Sequence, residues 1–135
     1  MSYRTERRAL QAAIALACLV PIGGGVAGVV AGPEGFSQVP AGVSFDSHFR
    51  YLSGLLLAVG VTFAAVIPRI ERATVSVRLL GSLVICGGLA RLVSLLLEGR
   101  PSTGMTFALV MELVVTPLLC LWQNRIARLE SSRLR

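Results

Sequence analysis

Two charged side chains lie in runs where charge is costly. Arg91 sits within "GGLARLVSLLLEG" and Glu112 within "MELVVTPLLCLW", and both stretches are otherwise almost wholly apolar. An isolated ion in hydrocarbon costs roughly 3 kcal/mol or more, so each needs a partner. A guanidinium opposite a carboxylate forms a fork of charge-assisted hydrogen bonds. Such a pair can lock two helices in register, hold a polar or anionic group of a ligand, or let the carboxylate act as acid or base beside an anion holder. At helical spacing Gly87, Arg91, Ser94 and Glu98 share one face, and Ala108, Glu112, Thr116 and Gln123 share another. The candidate site is therefore Arg91, Glu112, Ser94 and Thr116.

A second polar group is packed into "DSHFRYLSG", which supplies Asp46, His48, Arg50, Tyr51 and Ser53. Asp46 and Arg50 stand at i and i+4, where they can pair with each other or turn towards the level of Arg91 and Glu112. His48 is the only histidine, and one histidine does not make a metal site. Cys18, Cys86 and Cys120 all fall in apolar runs, where they read as small buried hydrophobes. No C-x-x-C or Cys/His spacing accompanies them, so neither a metal nor a cofactor is expected. No residue stands out as a catalytic nucleophile.

The elements that position these groups follow from composition. Of 135 residues, 54% are hydrophobic and 15% charged, where soluble domains carry about a quarter charged residues. The apolar residues fall into four blocks, each near the ~20 residues that cross a ~30 Å hydrocarbon core. They predict an all-α, antiparallel bundle of four transmembrane helices in a single integral membrane domain, at about 9–31, 50–68, 75–98 and 104–128, with an outer loop at 32–49. The rise of about 1.5 Å per residue puts Arg91 and Glu112 at one depth, roughly 8–10 Å below the outer surface, on helices joined by the short turn "EGRPSTG". Gly24, Gly28 and Gly32 recur every fourth residue as a small-residue stripe for close helix packing, and Gly87 and Gly88 do the same near Arg91. Pro21 inside the first block predicts a kink rather than a stop.

All thirteen basic residues are arginine, a compositional hint of a bacterial source. Arg4, Arg7, Arg8, Arg69, Arg72, Arg78, Arg125, Arg128, Arg133 and Arg135 fall on one side of the four-span arrangement. This is the positive-inside distribution, so both termini are expected in the cytoplasm and the chain in the bacterial inner membrane. The net charge of +6 is thus assigned to topology, and no nucleic-acid partner is expected. The first block resembles a signal peptide in its Arg7-Arg8 start, but its length and the arginine count favour a retained anchor.

The stretches "DSHFRYLSG", "GGLARLVSLLLEGRP" and "ELVVTPLLCLWQ" resemble a bacterial membrane family known as domain of unknown function 4345. The resemblance covers about the last two-thirds of the chain and implies a small four-helix inner-membrane protein, distantly similar to the DoxX-like group, some of whose members serve quinone-linked or thiol redox systems. It brings no catalytic residues with it, and no redox cysteine pair is present. The reading that follows is a non-catalytic accessory or assembly subunit with a polar Arg/Glu site near the outer face. Its partners are the lipid bilayer and either another membrane protein or a second copy of the chain. The alternative is a binder or carrier of a small amphiphile (lipid, quinone or isoprenoid); a membrane enzyme using Glu112 or Asp46 as acid or base beside Arg91 is less favoured, and a transporter less still.

Overall fold

The computed structural model describes residues 2–37, 40 and 42–133. Helix α1 spans Tyr3–Ala31, α2 Val43–Val66, α3 Thr74–Glu98 and α4 Thr103–Arg133, and no strand occurs among the described residues. A short 3-10 turn, Pro33–Gly35, follows α1, and a longer one, Ile67–Arg72, connects α2 to α3. All four helices are long and apolar enough to cross a membrane. Even α2, with 24 residues, reaches about 36 Å against a core of ~30 Å.

The helices overrun the apolar blocks. Helix α1 begins at Tyr3 rather than 9, α2 at Val43 rather than 50, and α4 continues to Arg133 rather than 128. Hydropathy marks where a chain leaves oil, whereas a helix continues as long as its backbone donors find acceptors. At α2 the Gly42 carbonyl accepts from the Phe45 and Asp46 amides at 2.9 and 3.0 Å, so the polar residues at 44–48 are already helical. The expected outer loop at 32–49 shrinks accordingly; its residues 38, 39 and 41 lie outside those described.

The chain divides into two compact units. The first, Ala15–Ala65, holds most of α1 with α2. Glycines bring these helices together: a Cβ on Gly25 would lie 2.7 Å from that of Leu57, one on Gly28 would strike Ser53, and one on Gly60 would lie 2.8 Å from Ile22 Cγ1. Pro21, Gly25, Gly28 and Gly32 step by four, three and four, a spacing of about 3.7 residues, close to the helical turn of about 3.6, that keeps one seam towards a neighbour. The expected stripe is corrected here. Gly24 makes only ordinary contact, at 3.7 Å from Leu56, because a strict four-residue row drifts off such a seam.

The second unit, Met1–Ile14 with Val66–Arg135, holds the first turns of α1 with α3 and α4. Its fully buried side chains include Leu10, Ile70, Val77, Ile126 and Gln123. Gln123 donates from Nε2 to the Ile70 carbonyl at 2.8 Å and to Thr74 Oγ1 at 3.0 Å. Gln11 donates to the Ile67 carbonyl at 2.9 Å, and Arg7 to that of Pro68 at 3.0 Å. The 3-10 turn, whose Arg69 departs from helical geometry, is thus held by side chains where its own ladder fails. Two ion pairs close the same end: Arg7–Glu71 at 2.9 Å and Arg125–Glu6 at 3.0 Å. The Arg133 guanidinium lies 4.3 Å from the Tyr3 ring centroid, within cation–π range.

Away from these seams the helices present bare hydrocarbon. Leu79, Leu83, Val93 and Leu96 of α3 are exposed, as are Val110, Val114, Leu118 and Leu121 of α4. No residue of α4's apolar stretch is buried within the chain. Helices that are apolar nearly all round require lipid or another protein around them.

Candidate functional site

The α3–α4 turn is built to return the chain on itself. Gly99 ends α3 with φ at 92°, and its amide donates to the Leu95 carbonyl. A side chain is rarely tolerated in that left-handed region. Ser102 then caps α4: its side chain accepts from the Met105 amide and its carbonyl from the Thr106 amide.

This turn sets Glu112 of α4 opposite Arg91 of α3. Arg91 Nε donates to Oε2 at 3.0 Å and Nη2 to Oε1 at 3.1 Å. Both carboxylate oxygens are therefore engaged by one guanidinium, in the parallel two-bond geometry that gives an arginine–carboxylate pair its strength. The third guanidinium nitrogen, Nη1, meets only the Met105 thioether, at 2.8 Å, and thioether sulfur is a weak acceptor. Glu112 is 14% exposed and Arg91 29%. The pair is closed on the carboxylate side and partly open on the arginine side.

Gly88 provides the room. A Cβ there would fall 2.8 Å from Glu112 Cβ and 2.8 Å from Leu113 Cδ2. Gly81, a heptad earlier, would carry a Cβ 2.5 Å from Cys120 Sγ. Gly87 is corrected: nothing lies within 4 Å of its missing Cβ, since the seam runs through Gly81, Gly88 and Arg91. Ser94 is also corrected as a site residue. It is exposed and makes no side-chain hydrogen bond.

Glu112 lies in a feature absent from the sequence reading. Residues Met111–Val115 form a π turn, and the Thr116 amide bonds to the Met111 carbonyl five residues back. The Thr116 hydroxyl donates to the same carbonyl at 2.9 Å, so it serves the backbone and not the ion pair. The signal for this turn is Pro117. Proline offers no N–H, and its ring would strike the carbonyl four residues before it, that of Leu113. Widening the preceding turn relieves the conflict. Such π turns recur at functional sites.

The cluster in "DSHFRYLSG" separates onto two faces. Asp46, Arg50 and Ser53 face α1. Arg50 Nε lies 2.9 Å from Asp46 Oδ2, and Nη1 donates to the carbonyls of Val29 and Val30. Those are orphan carbonyls at the end of α1, where a cation is favoured by the helix dipole. Gly32, with φ at 64°, ends α1 directly beneath this pair; a Cβ on it would collide with Arg50 Nη2 and Asp46 Oδ1. Ser53 is buried against Gly28 and donates to the Phe49 carbonyl at 2.8 Å. The reading of one polar mouth is therefore corrected. Asp46 and Arg50 form a helix cap and Ser53 a packing contact, while His48 and Tyr51 are exposed with Ser44 and Ser47 along an open groove.

Cys18 is buried, but Cys86 is exposed, which corrects the expectation of three buried thiols. No cluster of histidine, cysteine or acidic residues that could hold a metal occurs among the described residues.

The profile of the family described as "Domain of unknown function (DUF4345)" matches residues 9–123, from the start of the first apolar block to Gln123. The chain belongs to DUF4345. No curated protein and no solved structure matches it. The DUF4345 match takes in the Arg91–Glu112 fork, the π turn and the Asp46–Arg50 cap. It ends at the buried Gln123, so the arginine-rich end of α4 lies beyond it. The hub at Gln123 and the bridges of Arg7 and Arg125 join residues far apart in the chain, and no local spacing signals them.

Proposed function

We propose that this DUF4345 protein is a non-catalytic accessory or assembly subunit of the bacterial inner membrane, in which the Arg91–Glu112 fork clips α3 to α4. The carrying observation is that both Glu112 oxygens accept from the same guanidinium. A carboxylate so engaged is ill placed to take a proton from a substrate, and its arginine is not free to hold a substrate anion through those two nitrogens. The apolar surface of α4, unburied within the chain, is what such a subunit would offer to lipid and to a larger assembly. The arginine distribution supports the inner-membrane placement.

The test replaces the pair by apolar residues. R91L and E112L each strand one charge and should lower stability by roughly 1–3 kcal/mol, whereas R91L/E112L should be less destabilised than either. Thermal melting in mild detergent reads this. The double variant should also keep any growth function lost on deleting the gene, and should remain in a complex larger than the chain on native gels. A double variant that folds but loses the function would overturn the clip reading.

One observation favours a second reading. Arg91 Nη1 has only a thioether for company, and a carbonyl or phosphate oxygen of a small amphiphile would be a better acceptor. In that case the folded double variant loses the function and M105L, which removes the sulfur alone, keeps it.

A further inference from the structure

At the end of the second unit that carries the start of α3 and the end of α4, an open groove of about 370 Å³ runs between them. Its polar lining is Thr74, Arg78, Asn124, Arg128, Ser131 and Ser132. Apart from the two serines, these groups have hydrogens to give. Arg78 donates from Nε and Nη2 to Asn124 Oδ1 at 3.2 and 3.0 Å, which fixes its guanidinium across the groove and leaves Nη1 free. Because the Asn124 oxygen is taken, its amide nitrogen is the group left to act, and that is a donor. Thr74 Oγ1 accepts from Gln123, so its own hydrogen is available. Ser131 and Ser132 donate to the carbonyls of Ala127 and Arg128 at 3.0 Å each. Among the described residues the Arg128 guanidinium makes no hydrogen bond or ion pair.

Among the described residues no carboxylate lines this groove. Glu6 and Glu71 are both paired with other arginines, Arg125 and Arg7, so they do not neutralise Arg78 or Arg128. The result is a fixed arginine, an unpaired arginine, an amide and a hydroxyl, all offering hydrogens to one space. A tetrahedral oxyanion bearing several acceptors fits such a set. Position narrows the choice. Thr74 opens α3, and Asn124 follows Trp122, which ends the apolar run of α4. That is the depth at which phospholipid headgroups lie against a spanning helix.

We propose that this groove is a binding site for the phosphate-bearing headgroup of an anionic phospholipid, held by Arg78 and Arg128 with Thr74 and Asn124. It stands apart from the Arg91–Glu112 fork and does not depend on the role assigned to it. The full chain is reconstituted into phosphatidylcholine vesicles containing phosphatidylglycerol, with a spin label on the acyl chain of one lipid or the other, and electron paramagnetic resonance measures which lipid is held against the protein.

Wild type should prefer the anionic lipid. R128Q should lower that preference about tenfold, the loss of one charge-assisted hydrogen-bonded contact to the headgroup, and R78Q/R128Q should abolish it. R128Q is the clean variant, because its guanidinium has no partner in the fold to lose; melting curves verify that it folds as wild type. R4Q/R8Q removes two arginines of the same end outside the groove and should keep the preference. Equal loss in R4Q/R8Q and R78Q/R128Q would mean general surface attraction and would overturn the site, as would the absence of any preference in wild type. Millimolar glycerol phosphate or inorganic phosphate should fail to displace the protein-held anionic lipid; displacement by either would assign the groove to a soluble phosphate instead.

Discussion

Gly88 and Gly87 are adjacent and chemically identical, yet they should respond to one methyl group in opposite ways. In G88A the new Cβ meets Glu112 Cβ and Leu113 at 2.8 Å. The Leu113 methyl can swing aside, but Glu112 Cβ is fixed to the α4 backbone, so the helices must part and strain the ion pair. Overpacking of this sort costs about 1–3 kcal/mol. In G87A the methyl enters open space, and the melting temperature in detergent should hold or rise slightly. Equal losses in the two variants would place the α3–α4 seam elsewhere. The comparison also shows what was legible. Arg91 and Glu112 can be matched from the sequence because depth is one-dimensional and a lone charge in hydrocarbon is costly. Rotation about the helix axis is a second coordinate, and a one-residue error turns a side chain by about 100°. That is why Gly87 and Ser94 read as site residues, while Gly88 is the one that touches Glu112.

The π turn of α4 is the element on which that pairing rests. Residues 111–115 carry five-residue bonds immediately before Pro117, and the proline supplies the cause. P117A restores an N–H and removes the ring from the Leu113 carbonyl. The ordinary four-residue ladder then becomes available through this stretch. Hydrogen exchange at the Val115 and Thr116 amides should slow in P117A relative to wild type, while helix content by circular dichroism stays constant. Unchanged exchange would mean that something other than the proline holds the turn open. Elements were legible in number and type because four apolar blocks are long enough to span. Their ends were not, because Ser44, Asp46, Ser47 and His48 read as loop on hydropathy although Gly42 already accepts helical hydrogen bonds from Phe45 and Asp46.

For the whole molecule, charge is distributed by end. Ten arginines and three glutamates fall in the termini, the 3-10 turn at residues 67–72 and the start of α3, while Arg50, Arg100, Glu34, Asp46 and Glu98 fall near the end of α1, the start of α2 and the α3–α4 turn. Arg91 cancels Glu112 between them, which accounts for the net charge of +6. Three glutamates cannot neutralise ten arginines, even with Glu6 and Glu71 committed to Arg125 and Arg7. The positive excess opposes translocation of that end. An even number of spans returns the chain to the side from which it starts. A fluorescent reporter fused at either terminus should therefore mature in the cytoplasm, and alkaline phosphatase inserted between α3 and α4, at residues 99–102, should be active outside it. The arrangement should also respond to charge: R4Q/R8Q, which spares the bridges of Arg7 and Arg125, should leave it intact because eight arginines remain at that end. Arginines added within 99–102 compete directly with those and should produce a mixed population. Phosphatase activity at the termini of the unaltered chain would reverse the orientation.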